Sequence, residues 1–233
     1  MTTRLNRSLM TLCASAALLA AGAASAAPVA WTDWTSLSTD LRSATGSMGG
    51  VGVTVSATAA MNGVSQIGGA ANCQLNYWTE PNAGDRPYTG GSLSNAPTAC
   101  EQLGMSSANR VTATFSSAVT DLYIALLSVG QGGVPVTYTF DQAFTIDSEG
   151  QGYWGNDATD GVLGAGNSIT MREFHGVLHF SAPVTSLTFS SGAENWQAFT
   201  FGTTSSNVPE PGSLALVAGA LLAGAAVARR RKA

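Results

Sequence analysis

The chain has 233 residues, with 10 basic and 14 acidic side chains and a net charge of −4. Residues 27–207 are more one-sided: Arg42, Arg86, Arg110 and Arg172 stand against 13 carboxylates, a net charge of −9 without a single lysine. So few cations cannot neutralise a phosphate backbone, which excludes nucleic acid as a partner and leaves divalent cations and neutral glycans as the ligands this charge suits.

In chain order, the first element is an export signal. Arg4 and Arg7 precede an apolar run over residues 9–23, and Ala24-Ser25-Ala26 forms a small-residue cleavage site. The pattern predicts a signal peptide over 1–26, removed by signal peptidase. Cys13 lies inside the run behind the bulky Leu12, which argues against a lipidated cysteine. Residues 27–207 then suffice for one exported domain with a substantial core. Within it, the Gly-, Ser- and Thr-rich composition of 46–69 allows that stretch to be disordered.

Cys73 and Cys100 are the two cysteines left after signal removal, and an even pair in an exported domain predicts a disulfide. Further along, Val111, Ala113 and Phe115 alternate, residues 122–129 are continuously apolar, and Val136, Tyr138 and Phe140 alternate with threonines. These patterns predict half-buried and fully buried strands. Gly130 to Gly133 separates the last two, which predicts a hairpin-like pair. Phe174, Leu178 and Phe180, then Leu187 and Phe189, then residues 196–201 continue the pattern. Turn signals fall at Gly150, Gly155, Asp160-Gly161 and Ser191-Gly192. The sum is an all-β fold, a β-sandwich with a jelly-roll-like arrangement.

Candidate chemistry is sparse. His175 and His179 are the only histidines, and four residues apart on a strand they stand about 13 Å from each other, too far for one ion. Glu173 shares a face with His175, about 7 Å away. Asp147, Glu149, Asp157 and Asp160 make the densest group of oxygen ligands, in Asp- and Gly-rich loops of the kind calcium takes. Tyr77-Trp78 and Tyr153-Trp154 sit among Asn, Gly, Pro and acidic neighbours rather than strand residues, and are the candidate glycan contacts. Glu194, two residues before Trp196, is a further candidate carboxylate. No Gly-x-Ser-x-Gly elbow, phosphate loop or zinc motif is present. The expectation is therefore a non-enzymatic protein, with a secreted carbohydrate-active hydrolase as the alternative.

The chain closes on three consecutive features: Pro209-Glu210-Pro211, a charge-free apolar run over 213–228, and Arg229, Arg230, Arg231 and Lys232. Sixteen helical residues span about 24 Å, slightly less than the hydrocarbon thickness of about 30 Å, and snorkelling cations extend the reach. The run predicts one transmembrane helix, with its basic end on the cytoplasmic side. The prolines terminate upstream structure and leave an extended segment outside the membrane.

Together these three features resemble the PEP-CTERM sorting signal of Gram-negative bacteria. The resemblance implies that the membrane protease-transpeptidase exosortase reads the tripeptide, that the helix is a temporary anchor at the inner membrane, and that the domain ends at the cell surface or in the extracellular matrix. Residues 137–202 carry a second likeness. Gly152-Tyr153-Trp154, Glu173-Phe174-His175-Gly176-Val177-Leu178-His179-Phe180, Ser186-Leu187-Thr188-Phe189 and Glu194-Asn195-Trp196 are similar to β-sandwich ectodomains of PEP-CTERM surface proteins. That likeness implies fold and location rather than catalysis. The role expected is structural, adhesive or glycan-binding, with extracellular polysaccharide as the partner.

Overall fold

The computed structural model describes residues 28–62, 67, 73, 75–81, 84–155 and 161–204. Among these, the chain begins with β1 (Ala30–Trp31), β2 (Asp33–Leu37), β3 (Ser43–Met48) and β4 (Val51–Ala57). A long segment leads to β5 (Leu103–Met105), β6 (Asn109–Val119), β7 (Leu122–Val129), β8 (Val136–Phe140) and β9 (Thr145–Glu149). The last five are β10 (Gly161–Gly164), β11 (Ser168–Met171), β12 (Phe174–Phe180), β13 (Val184–Ser191) and β14 (Gln197–Thr203).

The strands form two antiparallel sheets. The smaller runs β1-β14-β7-β12-β9, with β5 on the same edge of β14 as β1. The larger runs β10-β11-β8-β13-β6-β4-β3-β2. Pairing is nested across the sandwich: β6 with β13, β7 with β12, β8 with β11.

Side-chain alternation decides which face is inside. In β6 as far as Phe115, and throughout β8, every second residue is buried, because the outer face of the larger sheet meets water. The inward set includes Phe115 and Phe189, whose rings lie 5.9 Å from Phe201 and 5.3 Å from Phe199 across the core. Truncating any one of these to alanine removes a large apolar volume, at about 3–5 kcal/mol. β7 is buried at all eight positions. Its inward residues Leu122, Ile124 and Leu126 join the main core, while Tyr123, Ala125 and Leu127 join a second cluster with Trp31, Trp78, Tyr88, Leu93, Val177 and Ala198. The smaller sheet is thus covered on both faces, which is why its central strand reads as one apolar run.

The cover over that outer face is the long segment before β5. Cys73 and Cys100 form a disulfide across a sequence separation of 27. Glu80 accepts bonds from the Tyr88 and Thr89 amides at 3.0 and 2.7 Å, Ser148 bonds the Pro87 carbonyl at 2.7 Å, and Asn95 brackets Val29 through its amide and carbonyl.

Two expectations change. Residues 122–129 and 136–140 are not a hairpin: β7 lies in one sheet and β8 in the other. β7 needs partners on both edges and finds them in β12 and β14. The glycine loop is therefore an arch between sheets, opened by Gly130 at φ 80°. The first half of 46–69, the stretch whose composition allowed disorder, supplies the end of β3 and all of β4, with Val51, Val53 and Val55 in the core, while 63–66, 68 and 69 lie outside the described residues. Val-x-Val-x-Val alternation outweighs the glycine and serine content there. The signal peptide and the transmembrane run lie outside the described residues. Among the described residues no helix is long and apolar enough to cross a membrane.

Candidate functional site

The candidate glycan residues come together, with one exception. Gly152 and Gly155 exchange backbone hydrogen bonds, each 3.1 Å, around a two-residue turn whose tip is Tyr153 and Trp154. Gly155 takes φ 100°, a conformation that side chains disfavour. The two tip aromatics are 47% and 45% exposed, an unusual state for residues of that size. Behind them Tyr77 stacks on Trp154 at 4.9 Å and meets Tyr153 edge-on at 5.0 Å. Trp196, just before β14, closes the group at 5.3 Å from Trp154 and 5.8 Å from Tyr77. The exception is Trp78, only 2% exposed and packed edge-on against Tyr88 at 5.1 Å. Adjacent residues of an extended chain point to opposite sides, so Tyr77 faces out and Trp78 roofs the smaller sheet.

A polar cluster underlies this surface at the same end of the sheet. The turn rests on His175 so closely that a Cβ on Gly152 would lie 2.2 Å from the imidazole. The His175 ring is buried, near-parallel to Trp154 at 6.4 Å, and its Nδ1 shares a 2.8 Å hydrogen bond with the Tyr88 hydroxyl. Burial raises the Tyr88 hydroxyl well above its ordinary range, with the Glu80 and Glu173 charges adding, so it stays protonated and able to donate. His175 Nε2 has no hydrogen-bond partner and lies 3.7 Å from Glu173 Oε1, which also accepts from the Ser128 hydroxyl.

Burial pushes the Glu173 carboxyl up, but His175 and Ser128 outweigh it, and the net shift is downward. Glu194 moves the other way. Burial raises it to about 7, the Gly130 amide (2.8 Å from Oε1) opposes, and the Glu173 charge adds to the rise. Its second oxygen is buried without a hydrogen-bond partner. Sequence reasoning set Glu173 and His175 on one strand face and named Glu194 apart from them. What joins them is the pairing of β7 with both β12 and β14, which no local pattern encodes.

The remaining candidates lie apart. Asp147 accepts from the amide and hydroxyl of Ser92 at 3.1 and 3.0 Å, fastening the covering segment to β9, and Glu149 ends that strand. Asp157 and Asp160 lie outside the described residues. Among the described residues no group of three or more His, Cys, Asp or Glu side chains is placed to hold a metal ion. His179 is stacked on Tyr123 at 4.6 Å and bonds Asp121 at 3.0 Å, one layer removed from His175. A separate polar cleft of about 360 Å³ runs beside β1, lined by Trp31, Asp33, Asn95, Thr98 and Glu101. Burial raises the Glu101 carboxyl against the bonds from Thr98.

Pro209, Glu210 and Pro211, with the basic cluster Arg229 to Lys232, also fall outside the described residues, and comparison with known proteins speaks for them. No curated protein and no solved structure matches the chain. Residues 207–232 match the family model of the PEP-CTERM protein-sorting motif, so the chain carries that signal and is an exported protein sorted by exosortase to the surface of a Gram-negative bacterium.

Proposed function

We propose that the protein is a non-enzymatic component of the envelope or extracellular matrix that holds polysaccharide on the surface formed by Tyr77, Tyr153, Trp154 and Trp196. The observation that carries this reading is the turn of Gly152 to Gly155, which holds two half-exposed aromatic side chains outward on a bed of other rings. Flat aromatic faces take the apolar faces of sugar rings, and a turn seated on a buried imidazole keeps them in place. The nested strand pairing supports the jelly-roll reading of the sandwich. Signal peptidase and exosortase are the processing partners, and the apolar run over 213–228 is the temporary membrane anchor.

One observation favours a second reading, a secreted carbohydrate-active hydrolase. Glu173 and Glu194 have their proton affinities driven apart at one site, the pattern of a base beside an acid. Co-sedimentation with the host's extracellular polysaccharide, with calcium and with chelator, separates these readings. Saturable binding that Trp154→Ala weakens about tenfold or more supports the aromatic surface, and undiminished binding removes it. Release of reducing ends that Glu194→Gln abolishes while binding persists favours the hydrolase. Calcium at Asp147, Glu149, Asp157 and Asp160 predicts tighter binding and a higher melting temperature with the ion than with chelator. Equal values remove calcium.

A further inference from the structure

The ring cluster accounts for sugar stacking but not for the polar atoms below it. Two of these, Glu194 Oε2 and His175 Nε2, are buried and have no hydrogen-bond partner, and His175 Nε2 is aimed at Glu173 Oε1 from 3.7 Å. Unused polar capacity in a folded interior is costly unless a ligand or water takes it up. The groups differ in kind. Glu194 Oε2 and Glu173 Oε1 are acceptors. On this reading His175 Nε2 is a donor: the Tyr88 hydroxyl, 2.8 Å from Nδ1 and 3.4 Å from the Leu126 carbonyl, gives its one proton to the nearer acceptor and leaves the ring proton on Nε2. A ligand that satisfies them must present a strong donor beside an acceptor.

From this geometry we infer that the polysaccharide taken by this surface carries free amino sugars, the ammonium received by Glu194 and Glu173 and the neighbouring hydroxyl oxygen by His175 Nε2. The inference rests on the glycan reading above and names its ligand class. An N-acetylated sugar offers one weak amide donor where an ammonium offers three charged ones, and a uronate brings its own negative charge to two carboxyls. The domain's charge favours the same choice: four arginines against thirteen carboxylates and no lysine draw in a polycation and repel an anionic polymer. Access lies past Trp154. It sits 6.4 Å over the imidazole and is half exposed, while the Glu173 side chain keeps 23% of its surface open beside it. Seating an ammonium there displaces the indole from His175 and changes its fluorescence.

The test titrates the full chain in detergent, disulfide intact, with glucosamine oligomers, their N-acetylated counterparts, a neutral glucan and polylysine at 0.15 M salt. The expected result is at least tenfold tighter binding of the glucosamine oligomer than of its acetylated form, with a change in tryptophan fluorescence. Glu194→Gln and Glu173→Gln should each bring the two oligomers within about twofold, while Trp154→Ala weakens both. Equal affinity for free and acetylated oligomers overturns the ligand class and leaves the glycan reading intact. Polylysine producing the same affinity and fluorescence change reduces the effect to bulk charge and also overturns it. Failure of every saccharide to bind overturns both.

Discussion

Gly152 shows how much one position controls. Its missing Cβ is what lets the turn settle on His175, where an added methyl would meet the ring at 2.2 Å. Both neighbours are constrained, the imidazole by Tyr88 and the turn by its reciprocal backbone bonds. Gly152→Ala is therefore expected to lower stability by about 1–3 kcal/mol through overpacking and to weaken glycan binding by displacing Tyr153 and Trp154. A variant with wild-type melting temperature and wild-type binding shows that the seat is not needed. Glu194 acts through protons. Its folded carboxyl titrates near 7 against an ordinary 4.5, so between those values the folded state holds a proton that the unfolded chain has released. Stability attributable to Glu194 is thus greatest below pH 4.5 and is lost as pH rises to about 7. Glu173, shifted downward, works in the opposite sense and loses its contribution as pH falls below its ordinary value. Melting curves from pH 5 to 8 should show the decline in the wild type and a flatter profile in Glu194→Gln; identical profiles sink the assignment.

At the scale of elements, the covering segment matters most. Its described residues have little regular structure, yet they supply Trp78, Tyr88 and Leu93 to the second core and the Tyr88 hydroxyl to His175. The Cys73–Cys100 bond limits the freedom of this loop in the unfolded chain, worth about 3–4 kcal/mol on the chain-entropy model. Reduction should lower the melting temperature and loosen Trp78 from Tyr88, red-shifting its emission. Unchanged emission in the reduced protein means that side-chain contacts alone hold the cover. The strands were legible where the larger sheet faces water: Val136, Tyr138 and Phe140 alternate because one face alone is buried. β2 and β3 were missed because Asp33–Leu37 and Ser43–Met48 are short and largely polar, with Gly46 inside β3, and are held by ladder pairing, β2 on β3 and β3 on β4.

For the whole molecule, β14 links the surface to the sorting signal. It starts beside Trp196 and ends at Thr203, where it pairs with Ala30 at the start of the domain. Seven strand residues span about 20 Å, so the chain leaves the sandwich at the end opposite the aromatic surface. Pro209 follows Thr204 by five residues, at most about 18 Å of chain. Under the proposed temporary anchor, that length keeps the domain close to the membrane before processing. Intact mass of protein from a host with exosortase should show loss of residues beyond about Pro211, and a full-length tail in mature surface material counts against the temporary anchor.

The sequence by itself determined the sorting signal, the disulfide partners and the all-β class. Each is a local property of composition, spacing or a contiguous motif. Tertiary structure alone decided that β7 and β8 part into different sheets, that Tyr77 and Trp78 face opposite ways, and that His175 seats under Trp154 with Glu173 beside it. Those outcomes depend on which strands pair and which face the covering segment buries, and both are set by contacts between residues far apart in the chain, where no short-range pattern carries the information.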